Sequence, residues 1–185
     1  MKLRYFIAII IVLCTVAACK NEPIPKPKAE IRLEYPQGEL ATLETKDFIF
    51  QYNQLAEAEA NKDQAFTLKY PEMKGAIFIS YKKIDNNADK LIIDAKRLSY
   101  EHAAKADNIV EQPYVNPEAK VYGALFEVQG NAASQSQFFV TDSVEHFLTG
   151  SVYFYTKPNY DSILPAAAYL QNDIRRIMET LRWKK

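Results

Sequence analysis

The residues with the most definite chemistry stand at the start of the chain. Val16-Ala17-Ala18-Cys19 is a lipobox, in which small side chains fit a peptidase and the Cys19 thiol is acylated before cleavage. Lys2 and Arg4 precede an apolar run from Tyr5 to Leu13, the layout of a signal peptide. A helix that spans a bilayer needs roughly 20 apolar residues, so the short run marks an export signal in preference to a signal anchor. Ordinary cleavage after Ala17 or Ala18 would instead leave Cys19 as an unpaired thiol in an oxidising compartment. Cys14 departs with the signal, so the mature chain has neither a disulfide nor a thiolate metal site. One acyl chain binds membranes marginally and two anchor stably. The expected product is therefore a lipid-anchored domain that fractionates with membranes.

Elsewhere the reactive residue types are sparse. The only histidines are His102 and His146, without acidic or thiol neighbours at ligand spacing, so no metal site is expected. Five scattered glycines form no phosphate loop, and no cofactor is implied. Ser134, Ser136 or Ser143, with His102 or His146 and Asp142 or Asp161, supply the residue types of a hydrolase triad. Nothing places them on a nucleophile elbow, and the chain reads as a non-enzyme. His102 falls on an apolar helical stripe, where an imidazole is a hydrogen-bonded core residue more often than a functional one. The most unusual stretch is Gly130 to Ser143, G-N-A-A-S-Q-S-Q-F-F-V-T-D-S. Its amide and hydroxyl groups, at Asn131, Ser134, Gln135, Gln137, Asp142 and Ser143, are candidates for a surface that holds a peptide or partner. Read structurally, the same run is a hairpin turn with Asn131 assisting the reversal.

The elements that would position these groups follow from hydrophobic spacing. Ile31 to Tyr35, Phe48 to Tyr52 and Ala65 to Tyr70 alternate as strands, and Ala76 to Tyr81 is apolar on both faces, as a central strand would be. Leu55 to Lys62 is helix-prone but short, a turn of helix or a loop. Asp89 to Glu111 places Leu91, Ile92, Ala95, Leu98, His102, Ala106 and Ile109 at three- and four-residue spacing, predicting a long helix up to Pro113. Val121 to Val128, Gln137 to Thr141 and Phe147 to Tyr155 read as strands with short, antiparallel connections. A last helix is expected from Pro165 to about Trp183, its apolar side formed by Tyr169, Ile174, Ile177, Met178 and Leu181. The fold class is thus α+β, an antiparallel sheet covered by two long helices, in the element order of a Mog1/PsbP-like α-β-α sandwich.

Asn21 to Lys28 contains three prolines and forms an extended tether at about 3.1 Å per residue. The organisation expected is residues 1–18 as signal, 19–28 as lipidated cysteine and tether, and 29–185 as one domain. Without Lys2 and Arg4 the chain carries 21 basic and 23 acidic side chains, about −2 in net charge. Such a surface lacks the basic patch that nucleic-acid binding requires.

Several motifs occur together and in order: I-F-I-S-Y at Ile77–Tyr81, H-A-A-K-A-D at His102–Asp107, V-Y-G and G-N-A-A-S-Q between Val121 and Gln135, Q-F-F-V-T-D-S at Gln137–Ser143, P-N-Y-D-S at Pro158–Ser162 and E-T-L-R-W at Glu179–Trp183. With the lipobox, these resemble the GldD-type gliding-motility lipoproteins of Bacteroidetes. One departure lies upstream of Leu68–Pro71, where that family carries a tryptophan and an asparagine. The resemblance implies a non-enzymatic component of surface gliding and of the linked type IX secretion machinery, with other proteins of that apparatus as partners. It implies no catalytic residues. Lys20-Asn21-Glu22 partly resembles a surface-export signal of such lipoproteins, whereas the lipobox alone is met by a domain facing the periplasm. A periplasmic module that binds a peptide or cell-wall ligand is the alternative function.

Overall fold

The computed structural model describes residues 33–62, 64–157 and 159–184, and of these all side chains except those at 102 and 103. The signal segment, Cys19, the tether and the first two residues of the expected Ile31–Tyr35 strand lie outside the described residues. Leu33 to Tyr35 is irregular.

Among the described residues, ten strands and two α-helices form an α+β fold in which sheet dominates. Strands β1 (Leu40–Glu44), β2 (Phe48–Asn53) and β10 (Arg182–Trp183) make a small sheet in the order β1-β2-β10. Strands β3 (Glu57–Ala60), β4 (Ala65–Tyr70), β5 (Gly75–Lys83), β6 (Ala106–Asn116), β7 (Val121–Gly130), β8 (Ser136–Thr141) and β9 (His146–Phe154) make a large one in the order β3-β4-β5-β9-β8-β7-β6. Its neighbours all run antiparallel. Helix α1 spans Ala88–Tyr100 and α2 spans Tyr160–Thr180.

Strand alternation decides which helix covers which face. Ile77, Ile79, Leu125, Phe138, Val140, Leu148 and Val152 pack with Leu170, Ile174 and Ile177 of α2 and with Phe48 and Phe50 of the small sheet. Ala124, Phe126, Phe139 and Phe147, their immediate neighbours of opposite parity, pack with Leu91 of α1. The two helices therefore cover opposite faces of the large sheet.

The expected long helix stops eleven residues early. A 3-10 turn over Glu101–Ala104 follows α1, and Ala106–Asn116 is strand. Helical spacing at His102, Ala106 and Ile109 is overridden because β6 pairs with β7 from Ala106 to Asn116. Each such ladder bond contributes about 1 kcal/mol, more than the few tenths that separate residues in helix propensity. Pro113 is tolerated because β6 is the outer strand, where a missing N–H breaks no pairing. Glu57–Ala60 is likewise strand and not helix: an isolated turn of helix is unstable, whereas here Glu59 also meets Lys69 at 2.6 Å across the ladder. Helix α2 begins five residues before the expected start, leaving Pro165 inside it. An interior proline costs about 3 kcal/mol. Burial of Leu170, Ile174, Ile177 and Met178, at roughly 1.5–3 kcal/mol each, outweighs it. Only α2, at 21 residues, is long; α1 has 13.

Gly123 shows how closely the central strands approach. A Cβ there would lie 1.9 Å from the Phe139 carbonyl oxygen, a backbone atom that cannot rotate away. Gly123→Ala is expected to lower the unfolding free energy by about 3 kcal/mol, seen as a fall in the urea midpoint. Val144→Ala, in an exposed turn, should leave the midpoint unchanged within about 0.5 kcal/mol.

Candidate functional site

The polar stretch singled out in the sequence closes β7 and opens β8, and most of it is covered. Ser134 is 0% exposed, Gln135 4% and Gln137 3%. The Ser134 hydroxyl donates to Ser136 O at 3.2 Å. Gln137 Oε1 accepts from the Ser99 hydroxyl of α1 at 3.2 Å, while its Nε2 is buried without a partner. These three side chains are therefore not an open docking surface. Asn131 is exposed and its role is structural, since its Oδ1 accepts from the Tyr160 backbone N–H at 2.9 Å. An N-terminal donor of α2 is thus satisfied by a residue 29 positions upstream, in place of Asn159.

Asp142 and Ser143 build the β8–β9 turn. Asp142 Oδ1 accepts from the backbone N–H groups of Val144, Glu145 and His146 at 3.0, 2.9 and 2.8 Å. Partial burial opposes the charge on Asp142, but these donors and the neighbouring His146 prevail and hold the carboxyl below its ordinary range. Ser143 takes the left-handed conformation, φ 68°, and donates its N–H to Thr141 Oγ1 at 2.9 Å.

Of the candidate histidines, His102 falls in the turn after α1 and its side chain lies outside the described residues. His146 is buried, with Nδ1 2.8 Å from the Tyr81 hydroxyl and its ring stacked on Trp183 at 5.0 Å and 7°. Burial first, then Asp47, Glu145 and Asp142, push the Tyr81 hydroxyl up to about 12. Three of the triad candidates are committed to turns and packing: Asp142 to backbone donors, His146 to Tyr81 and Trp183, and Ser134 to a carbonyl. Among the described residues no group of three His, Cys, Asp or Glu is placed to hold a metal. No helix among them is long and apolar enough to cross a membrane.

Two arrangements were not foreseen from the sequence. Asp173 is 6% exposed on the buried side of α2, accepting from the Tyr70 hydroxyl at 2.9 Å and from Asn53 Nδ2 at 3.4 Å. Burial raises its carboxyl above the ordinary range, against the hydrogen bond from Tyr70, the Arg176 charge and the hydrogen bond from Asn53. An acid between Leu170 and Ile177 at helical spacing was the available signal. The second is a cleft of about 220 Å³ between the β7–β8 connection and the first half of α2, lined by Gln135, Tyr160, Leu164, Ala167, Ala168 and Gln171, among others. Gln135 Nε2 donates to Ala132 O at 2.8 Å, while Gln135 Oε1 and Gln171 Nε2 are buried without partners.

The two aspartates predict opposite pH behaviour. Asp142→Ala removes an acceptor shared by three donors and should cost about 1 kcal/mol, a Tm drop of roughly 2–4 °C at pH 7. Because the folded-state pKa is depressed, that gap is present above the unfolded value and closes as pH falls through the folded one. Asp173→Asn keeps an acceptor for Tyr70 and should match or exceed the wild-type Tm at neutral pH. Its advantage vanishes in acid below the ordinary carboxylate range, where Asp173 is protonated folded and unfolded. Thermal melts between pH 3 and 7 test both signs.

No curated protein matches the chain. The family model for the gliding motility lipoprotein GldD matches residues 20–183 and so takes in every element described above, from β1 to β10. The chain belongs to the GldD family of gliding motility lipoproteins.

Proposed function

We propose that the protein is a membrane-anchored, non-catalytic scaffold or assembly factor of the gliding apparatus and of the linked type IX secretion machinery, held by lipid on Cys19. The observation that carries this is the family match, which begins at Lys20, directly after the lipobox cysteine, and runs almost to the end of the chain. Membership associates the chain with gliding motility and a lipid-anchored place in the cell envelope. The commitment of Ser134, Asp142 and His146 to structural hydrogen bonds supports a role in docking over one in catalysis. Helices on opposite faces of one large sheet support the comparison with a Mog1/PsbP-like layered sandwich. In this proposal the domain faces the periplasm, and its partners are other proteins of the same machinery.

The second reading, a periplasmic module for a peptide or cell-wall ligand, is favoured by the cleft between the β7–β8 connection and α2.

In a deletion strain, colony spreading and type IX cargo secretion are expected to fall, to be restored by the wild-type gene and not by Cys19→Ala. Restoration by both genes would make the anchor dispensable. If deletion alters neither trait, the scaffold reading fails.

A further inference from the structure

We infer that the outer edge of β6 pairs with β6 of a second copy of this chain, antiparallel across a two-fold axis at Gln112, so that two large sheets join into one. The pairing is independent of the scaffold role and holds whether or not that role does. The two edges of the large sheet differ in how they are protected. β3 has four residues, all exposed, and Glu57 and Glu59 put charge on it, a common guard against a further strand. β6 has eleven residues and neither lysine nor arginine, and its Val115 is 66% exposed. Which of its backbone groups face outward follows from its neighbour. Val128 of β7 donates its N–H to Gln135 O on the β8 side, so its partner Ile109 turns its own N–H and C=O away from β7. The same parity holds for Glu111, Pro113 and Val115, and the proline, which has no N–H to give, stands where β7 needs none.

Between Ile109 and Asn116 the charged and amide side chains are already served within the chain. Glu111 accepts from Lys96 Nζ at 2.7 Å and from the Tyr100 hydroxyl at 3.1 Å. Gln112 donates to Glu127 Oε1 at 2.7 Å and accepts from Arg175 at 3.3 Å. Asn116 Oδ1 accepts from the Ala119 N–H at 3.1 Å. An approaching strand therefore meets a row of backbone donors and acceptors with no charge left to neutralise. The register selects a second copy as that strand. With the axis at Gln112, Ile109 lies opposite Val115 of the second copy on the α1 face, and Val110 lies opposite its Tyr114 on the α2 face. Each face gains apolar cross-strand pairs, and Val115 is covered. Glu111 meets Pro113 of the second copy. About six ladder hydrogen bonds form, two in each outer pair and one in each pair that holds a proline. Moving the axis to Glu111 sets two carboxylates against each other, and moving it to Pro113 sets two prolines face to face with no N–H between them. The order Glu111-Gln112-Pro113 thus favours one self-register over its neighbours, and the contact is the same patch on both copies, as a two-fold axis demands.

The test is disulfide cross-linking of the full chain in membranes of cells that express it, with copper phenanthroline as oxidant and the unsubstituted chain as the blank. Gln112→Cys should link to itself, because a residue on the axis faces its own copy at about 4.5 Å between Cα atoms, within the range of about 4.4–6.8 Å that a disulfide spans. Val110→Cys alone should not, since its two copies stand four residues out of register, about 14 Å apart. Val110→Cys co-expressed with Tyr114→Cys should link, and this pair decides the matter if Gln112→Cys fails to fold. On the Gln112→Cys background, Val115→Lys should lower the yield about tenfold with Tm unchanged, since Val115 is exposed in the single copy. Pro113→Val supplies the missing donor and should raise the yield. The inference is overturned if neither Gln112→Cys nor the mixed pair links. It is overturned equally if Val110→Cys links to itself as readily as Gln112→Cys, the mark of chance collision, or if the linked product holds a different protein, the mark of a foreign strand on this edge.

Discussion

Strands β5, β7, β8 and β9 carry apolar side chains on both faces, and such a sheet is stable only when water is kept from each. The two helices and the small sheet are arranged by that demand. On one face α2 lays Leu170, Ile174 and Ile177 on the strands, and the stacked rings of Phe48 and Phe50 extend the cover. On the other face α1 is shorter, closing over Phe126, Phe139 and Phe147. The terminal Trp183 belongs to the same closure. It pairs with Phe48 of β2 and stacks on His146 of β9, so the last strand locks the small sheet to the large one through an imidazole. The C-terminal E-T-L-R-W motif thus has a packing role that its position at the end of a helix did not suggest.

Where apolar spacing and pairing agreed, the sequence was a sufficient guide. β4 falls on its expected bounds, and β2, β5, β7, β8 and β9 differ from theirs by one to three residues, because each alternates or is bounded by turn residues. The failures share one cause. Ile109 and Val110 satisfy a helical period and a strand period alike, and Glu57–Ala60 favours helix on propensity. In both places the decision came from a partner strand distant in sequence, which spacing cannot reveal. The strands that were missed are the edges of both sheets, β3 and β6 of the large one and β1 and β10 of the small one. Central strands are apolar on two faces and announce themselves; edge strands carry charges and a proline, and do not.

The polar stretch illustrates the same limit for a site. Its composition marks an unusual region, but composition does not report exposure. Ser134, Gln135 and Gln137 are inside, where hydroxyl and amide groups fix how β7 and β8 meet the helices: Gln137 to α1 through Ser99, and Asn131 to α2 through Tyr160. A buried carboxamide tolerates few alternative registers, since a shift of one residue leaves it unpaired and moves every neighbour to the opposite face. The stretch therefore contributes specificity to the fold. Within the stretch, Gln135 Oε1 and Gln137 Nε2 are the side-chain atoms left buried without a partner.

Helical periodicity relates the cleft beside α2 to the point where the N-terminal segment meets that helix. At 3.6 residues per turn, Leu164, Ala168 and Gln171 lie on one flank of α2, and Tyr169 and Asp173 lie roughly 130–175° from its mean direction. The core stripe of Leu170, Ile174 and Ile177 runs between the two flanks. On the second flank the incoming chain is fixed: Tyr35 packs edge-on against Tyr169 at 5.6 Å, and the Tyr169 hydroxyl donates to Pro36 O at 2.7 Å. Asn53 joins that contact to Asp173 and Tyr70, so the entry point is bound into a buried network and not merely laid on the surface. The segment leading back toward Cys19 thus meets α2 on the side opposite the cleft. One helix thus meets the N-terminal segment along one flank and borders the cleft along the other, with the core stripe between them.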